Sequence, residues 1–99
     1  MLYCFFCTDN ENSLEKRLAT RSKHIERLNQ LQQQGRLILA GPNPAIDSTT
    51  PGDAGFTGSL IVAEFESLEL AEAWAKQDPY VEADVYRQVT VKPFIQALP

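Results

Sequence analysis

The chain has 99 residues, 43% of them hydrophobic, and a formal net charge of −4, which fits one globular domain over residues 1–99 and excludes a disordered or fibrous chain. Its longest basic run is the pair Lys16-Arg17, whereas a phosphate-binding surface needs a basic face, so nucleic acid is not an expected partner. No apolar stretch approaches the ~20 residues that span a bilayer, and no basic leader precedes the N-terminal apolar run, so no membrane partner is expected and the cytoplasm is the expected location.

The first predicted element is a strand over residues 2–8, because apolar and aromatic side chains occupy both of its alternating faces. Within it, Cys4 and Cys7 have the C-x-x-C spacing of some redox and zinc sites. Residues three apart on a strand point to opposite faces, and no second Cys/His pair completes a tetrahedral zinc site. We therefore interpret the two cysteines as small buried thiols.

A helix is predicted next, with Ser13 as its N-cap and Gly35 as the residue that ends it. An interruption near residues 20–22 is left open. The apolar residues that recur at helical spacing are Leu14, Leu18, Ile25, Leu28 and Leu31. Residues 36–41 are short, apolar and closed by a Gly-Pro pair, which indicates a second strand.

Residues 41–58 contain three prolines and four glycines without periodicity and are predicted to form a long loop. A loop of this length in a small domain is usually either mobile or functional. We therefore expect it to border the functional cleft and to move when a ligand binds.

The remaining elements are a strand, a helix and a strand. A third strand is predicted over residues 59–65, and Ser67 is predicted to cap a second helix, which the proline after Asp78 must end. Because the helix dipole disfavours an anion at a helix C-terminus, the carboxylate of Asp78 would need a donor or a cation nearby. In the final strand, over residues 85–92, valines on one face alternate with Tyr86 and polar side chains on the other.

The resulting order, β-α-β-β-α-β, predicts an α+β domain of the ferredoxin-like type. Two right-handed β-α-β halves give a four-stranded antiparallel sheet with both helices on one face. The other face stays bare, and it would be apolar because the first and third strands are apolar on both sides. A second copy is the simplest cover, so we expect a homodimer with its sheets face to face.

His24 is the chain's one histidine and lies on or beside the buried stripe of the first helix. It is either held by a backbone carbonyl at the core edge or acts as a general acid or base. Asp78 is either a surface helix stop or the carboxylate that orients His24. Ser59 could add a hydroxyl, and with the other two would form a serine-hydrolase triad, but no nucleophile-elbow pattern surrounds it.

Several segments together resemble the YCII-related family, over nearly the whole chain. They are Leu14 to Ala19, Arg21 with His24, Arg36-Leu37, Ala40 to Asp47, Gly55 to Ser59, Ala63 to Glu66, Asp78 to Ala83 and Val91 to Phe94. The resemblance implies a ferredoxin-like fold assembled as a dimeric α+β barrel, with a His/Asp pair that maps to His24 and Asp78. Relatives include a dehydrochlorinase acting on a chlorinated hydroxyhydroquinone, which needs acid/base chemistry and no cofactor.

These observations predict a cofactor-independent lyase or hydrolase for a small molecule, with His24 moving the proton and Asp78 fixing its tautomer, and the resemblance implies a phenolic substrate. Arg17 or Arg21 would bind an anionic group, and aromatic walls would come from Phe56, Tyr80 and Tyr86. One alternative is a non-catalytic module that binds a small ligand or a partner in the same cleft. A dedicated metal site is not expected, because one histidine with carboxylates suits adventitious zinc better.

Overall fold

The computed structural model describes all residues from Met1 to Pro99. Its elements are β1 (Leu2–Asp9), α1 (Leu14–Gln33), β2 (Leu37–Pro44), β3 (Phe56–Glu64), α2 (Leu68–Lys76), α3 (Pro79–Glu82) and β4 (Tyr86–Phe94). The strands form one antiparallel sheet in the order β2-β3-β1-β4. The predicted α+β class and ferredoxin-like order are therefore confirmed, with a short third helix added. No helix has the length and apolar composition that crossing a membrane requires.

The core lies between one face of the sheet and the helices. Alternate residues of β1, namely Tyr3, Phe5 and Cys7, pack in one buried cluster with Leu28 of α1 and Ala71 of α2. The opposite face carries no helix, and large apolar side chains there are about half exposed. Cys4 and Cys7 are both buried and unbonded to each other, as predicted.

The helix ends follow local sequence signals, with one exception. Ser67 Oγ accepts from the Leu70 amide, so the predicted cap of α2 is confirmed. Gly35 follows the C-cap of α1 with φ of 71°, a conformation that glycine adopts without strain. Ser13 occupies the N-cap position of α1, but its hydroxyl donates to the Asn10 carbonyl instead of capping the helix. Helix α1 is continuous, without a break near residues 20–22.

The predicted loop over residues 41–58 is wrong in its extent. Strand β2 continues to Pro44 and β3 begins at Phe56, so only residues 45–55 connect the two strands. Proline removes a ladder donor and is tolerated at a sheet edge, and β2 is an edge strand. The hairpin of β2 and β3 was therefore not predicted, because the segment is rich in proline and glycine.

The prediction that Asp78 ends the second helix is also wrong. Helix α2 ends at Lys76, and Asp78 is the N-cap of α3, where its carboxylate accepts from the Tyr80 amide at 2.9 Å. Because the N-terminal end of a helix favours an anion, the dipole stabilises this carboxylate instead of opposing it. The proline at 79 begins a helix here, at the position where proline is most common.

The predicted alternation of β4 fails at Tyr86. Tyr86 lies in the core cluster, on the same side as Val89 and Val91, and not on the opposite face. The register of β1 against β4 shifts between Thr8 and Asp9, which pairs Asp9 with Tyr86. This bulge turns the tyrosine inward, toward His24.

Candidate active site

His24 and Asp78 are buried and hydrogen-bonded to each other across α1 and the start of α3. Nδ1 of His24 lies 2.9 Å from Oδ2 and 3.0 Å from Oδ1 of Asp78. An ionised carboxylate can only accept, so we assign the ring proton to Nδ1, which leaves the lone pair on Nε2. Nε2 makes no hydrogen bond within the chain. The arrangement can present an oriented imidazole as a base.

Asp78 has two further neighbours besides His24. The Tyr80 amide donates to Oδ1, and Nη1 of Arg27 lies 3.7 Å from Oδ2, which is an ion pair too long for a hydrogen bond. Burial lowers the pKa of Arg27, and the charge of Asp78 opposes that shift. Sequence reasoning missed Arg27, although its place three residues after His24 puts both side chains on one helix face.

Two tyrosines enclose the imidazole. The Tyr80 ring stacks on His24 with centroids 4.1 Å apart and planes 14° apart, and the edge of Tyr86 meets His24 at 90°. Burial raises the pKa of both phenols, so both stay protonated near neutral pH. The hydroxyl of Tyr86 is buried without a hydrogen-bond partner. The two rings fix the plane of the imidazole.

Arg17 is buried and largely committed to partners in the chain. Its Nε and Nη2 bind the carboxylate of Asp9 at 2.9 and 3.1 Å, and Nη2 also donates to Gly58 O and Ser59 Oγ. Burial lowers the pKa of Arg17, but the hydrogen bonds and charge of Asp9 outweigh that effect, so its pKa is raised. The guanidinium lies 5.3 Å from the Phe56 ring centroid. Sequence reasoning missed Asp9, whose only signal is an acidic residue at the end of a buried strand.

Ser59 is hydrogen-bonded to Arg17 and not to His24. Its Oγ accepts from Arg17 Nη2 at 2.8 Å, and no hydrogen bond joins it to the imidazole. The serine-hydrolase alternative therefore lacks the contact between nucleophile and base that it requires.

A cavity of about 120 Å³ opens beside His24. The candidate residues that line it are His24, Arg17, Arg21, Ser59 and Tyr80, together with Ala40, Gly41 and Pro42 of β2. Phe56 does not line it, and neither do the connecting residues 45–55, so only the strand part of the predicted loop borders the cavity. Arg21 is exposed and makes no ion pair or hydrogen bond.

The cavity beside His24 is not the largest opening in the surface. A larger cleft of about 680 Å³ lies between Met1, Phe65 and Trp74, but it contains neither His24 nor Asp78. We place the candidate site at the smaller cavity, because that is where an oriented base faces open space. No group of three His, Cys, Asp or Glu side chains is arranged to hold a metal ion.

The fold defines a class of small α+β proteins that includes an enzyme of known structure. The chain is similar to 5-chloro-2-hydroxyhydroquinone dehydrochlorinase (TftG) from Burkholderia phenoliruptrix AC1100, solved in complex with 2,5-dihydroxybenzoquinone. The TM-score is 0.86, with 98% of this chain and 96% of that chain covered at 24% sequence identity. The likeness establishes a shared fold.

The model of the YCII-related domain matches residues 1–95, and the chain belongs to this family, as its sequence predicted. It is 60% identical over 94 residues to protein YciI of Escherichia coli O6:H1, covering 95% of this chain and 96% of that protein. The same values hold for an uncharacterized protein of Haemophilus influenzae. The chain is also 31% identical over 74 residues to an Emericella nidulans protein named "derivative of benzaldehyde biosynthesis cluster protein C", covering 74% of this chain and 76% of that protein.

Proposed function

We propose that the chain is a cofactor-independent enzyme that moves a proton on a small phenolic molecule, in a reaction of the lyase or hydrolase type. His24 acts as the base and then as the acid, and Asp78 fixes its tautomer. The observation that carries this proposal is the 2.9 Å contact between His24 Nδ1 and Asp78 Oδ2, which leaves Nε2 unpaired on an imidazole that lines the cavity.

The size and lining of the cavity favour a single-ring substrate. A volume of about 120 Å³ is close to the ~150 Å³ of an engineered cavity that binds benzene. Arg21 has no partner in the chain and can pair with an anionic oxygen at the cavity mouth. The names of TftG and of the Emericella relative both concern aromatic molecules, which supports a phenolic substrate here.

The proposed chemistry uses His24, Asp78 and Arg21. Nε2 of His24 takes the proton of a phenolic hydroxyl, and the imidazolium that forms is stabilised by the carboxylate of Asp78. Arg21 balances the phenolate. In an elimination, the electron pair of the phenolate moves into the ring, and the imidazolium gives its proton to the ring carbon that bears the leaving group, such as chloride. Nε2 then takes the proton of a second ring hydroxyl, whose electron pair shifts through the ring and breaks the carbon–chlorine bond. A quinone and chloride are formed, and the second proton passes from the imidazolium to solvent.

The test is a panel of hydroxylated and chlorinated hydroquinones, beginning with 5-chloro-2-hydroxyhydroquinone and followed by chloride release and ultraviolet absorbance. We expect His24→Ala to lose ~10²–10⁴-fold in rate, as for removal of a general base. Asp78→Asn should lose activity as well, because the imidazole loses its oriented tautomer. Lys23→Gln, an exposed change on the same helix, is the control and should leave the rate unchanged.

The same experiment separates catalysis from binding. If the wild type binds 2,5-dihydroxybenzoquinone but converts no member of the panel, and His24→Ala binds it equally well, the cleft is that of a non-catalytic ligand-binding module. Equal turnover by the wild type and His24→Ala would contradict the assignment of His24 as the base.

A further inference from the structure

We infer that Arg27 is a positioning residue that, acting through Asp78, keeps the His24 imidazole neutral and so able to accept a proton. The inference rests on the proposed function, since a neutral imidazole matters only if it serves as a base. Neither the sequence patterns nor the comparisons with relatives point to Arg27; its contacts do.

The first step is the charge balance around Asp78. Its side chain is only 3% exposed, and the two groups that donate to it, His24 Nδ1–H and the Tyr80 amide, bring no net charge. Arg27 is the one permanent cation within 4 Å. Arginine, aspartate and a neutral imidazole together sum to zero, so no further proton is needed to balance the buried carboxylate.

Without Arg27 the balance changes. A buried carboxylate next to a neutral imidazole would be an uncompensated charge, and a proton on Nε2 would cancel it. The resting state would then be an ion pair of imidazolium and carboxylate. In that state Nε2 is already occupied, and it cannot take a proton from a substrate.

The geometry of Arg27 suits this role better than a purely structural one. Nη2 donates to the Trp74 carbonyl at 2.6 Å, and the guanidinium lies 4.4 Å from the Trp74 ring centroid, so Trp74 holds the head group. Nη1 is buried, makes no hydrogen bond, and lies 3.7 Å from Asp78 Oδ2. The guanidinium thus contributes charge to Asp78 without competing with His24 for its oxygens.

The other ionisable groups around the imidazole add no unpaired charge. Three of them are neutral near neutral pH because burial raises their pKa values: Cys7, whose pKa reaches about 12, Tyr80 and Tyr86. Arg17 is matched by Asp9 at 2.9 Å, and Arg21 is exposed to solvent, which screens its charge. Arg27 is therefore the group that sets the charge balance of the pair.

The test is direct, because the chain has one histidine and its ring nitrogens give unambiguous ¹⁵N signals. Near neutral pH, the wild type and Arg27→Lys should show the two widely separated resonances of a neutral ring with the proton on Nδ1. In Arg27→Gln the two resonances should converge to the positions of an imidazolium. Arg21→Gln, which removes a cation from the same helix without a contact to Asp78, is the matched control and should keep the neutral pattern.

Two further variants test the same charge balance. Arg27→Met retains an apolar stem over Trp74 and gives the same readout if the glutamine variant does not fold. In Arg27→Gln with Asp78→Asn, the ring should return to neutral, because the carboxylate that Arg27 balanced is gone. A neutral Nδ1–H ring in the folded Arg27→Gln or Arg27→Met variant overturns the inference. Because no substrate is involved, that result leaves the proposed function standing, and failure of the hydroquinone assays leaves the charge balance standing.

Discussion

Four of the buried polar side chains form two hydrogen-bonded pairs. Arg17 faces Asp9, with side chains 7% and 2% exposed, and His24 faces Asp78, at 7% and 3%. Removing one member of the Arg17–Asp9 ion pair leaves the other charge buried without its partner, which costs roughly 3–5 kcal/mol. The first pair holds β1, α1 and β3 together, and the second joins α1 to α3. The stability of the site and the stability of the fold are therefore linked.

The buried phenols and the Cys7 thiol predict a loss of stability at alkaline pH. In the unfolded chain these groups ionise near their ordinary values of 9.0 and 10.0, whereas burial raises the pKa of Cys7 to about 12 and raises those of Tyr80 and Tyr86. The folded chain thus holds more protons above about pH 9, and the free energy of unfolding falls as pH rises. Thermal unfolding followed by circular dichroism should give a Tm that is steady below this pH and falls above it.

The variant that checks this cause is Tyr86→Phe, which removes one of the titrating groups and a buried hydroxyl without a partner. Its Tm should fall less steeply with pH than that of the wild type. An identical slope in the two proteins would mean that Tyr86 ionises equally in the folded and unfolded chains.

The sequence predicted only some of the residues of the candidate site. The position of the lone histidine beside a buried helix stripe, and of a carboxylate before a proline, made His24 and Asp78 candidates with a structural alternative each, and the family resemblance implied that they form a pair. The partners Asp9 and Arg27 were not found, because Asp9 meets Arg17 through the packing of a strand against a helix, and Arg27 meets Asp78 through the turn between α2 and α3. Such contacts depend on tertiary structure, which local spacing does not encode.

At the scale of elements, the close approach of β3 to β1 depends on Gly58. A Cβ built at this position would lie 1.9 Å from the carbonyl oxygen of Cys7, a backbone atom that cannot move aside. We expect Gly58→Ala to destabilise the protein by at least ~1–3 kcal/mol, the usual cost of overpacking. Urea unfolding measures this loss.

Gly41 supplies the matched control for Gly58. It lies on β2, the strand paired with β3, and a Cβ there meets nothing within 4 Å. Gly41→Ala should therefore change the free energy of unfolding by less than ~0.5 kcal/mol. Equal losses for the two alanine variants would contradict the role of the backbone contact.

The order of the elements followed from hydrophobic periodicity, and the errors fell at their junctions. Prolines normally mark loops, but at an edge strand they are compatible with pairing, so the β2–β3 hairpin looked like a loop. The Asp-Pro pair was interpreted as a helix end, whereas it begins the short helix α3. The inward turn of Tyr86 arises from a register shift with β1, which strict alternation cannot anticipate.

At the scale of the whole molecule, the bare face of the sheet is largely apolar over β1, β2 and β3, whereas β4 contributes Thr90 and Lys92 to it. Phe6, Ile38 and Leu39 are 48%, 46% and 47% exposed. Cys4 of β1 and Val62 of β3 are paired with each other and are buried. Covering this surface would stabilise the fold by about 25 cal/mol for each Å² removed from water. We predict that two copies associate through this face.

Sedimentation at micromolar concentration should show twice the mass of the 11.1 kDa chain. Phe6→Lys replaces an apolar ring in the middle of the face by a second positive charge beside Lys92 and should shift the protein to monomer. Leu70→Lys, at an exposed apolar position on α2, is the control and should leave the mass unchanged. A wild type that sediments as a stable monomer would remove the prediction.

The prolines of the two edge strands limit how copies of this chain can assemble. The edge strands are β2, which contains Pro42 and Pro44, and β4, which contains Pro93. Because proline has no backbone N–H, both edges of the sheet lack some of the donors that an added strand would use. A chain with apolar strands is thereby protected from growing sideways into a continuous ribbon, the route by which such sheets form fibrils. The prolines therefore disfavour sideways polymerisation at both edges of the sheet. Face-to-face stacking of two sheets, which ends after one partner, is the assembly that the edges leave open.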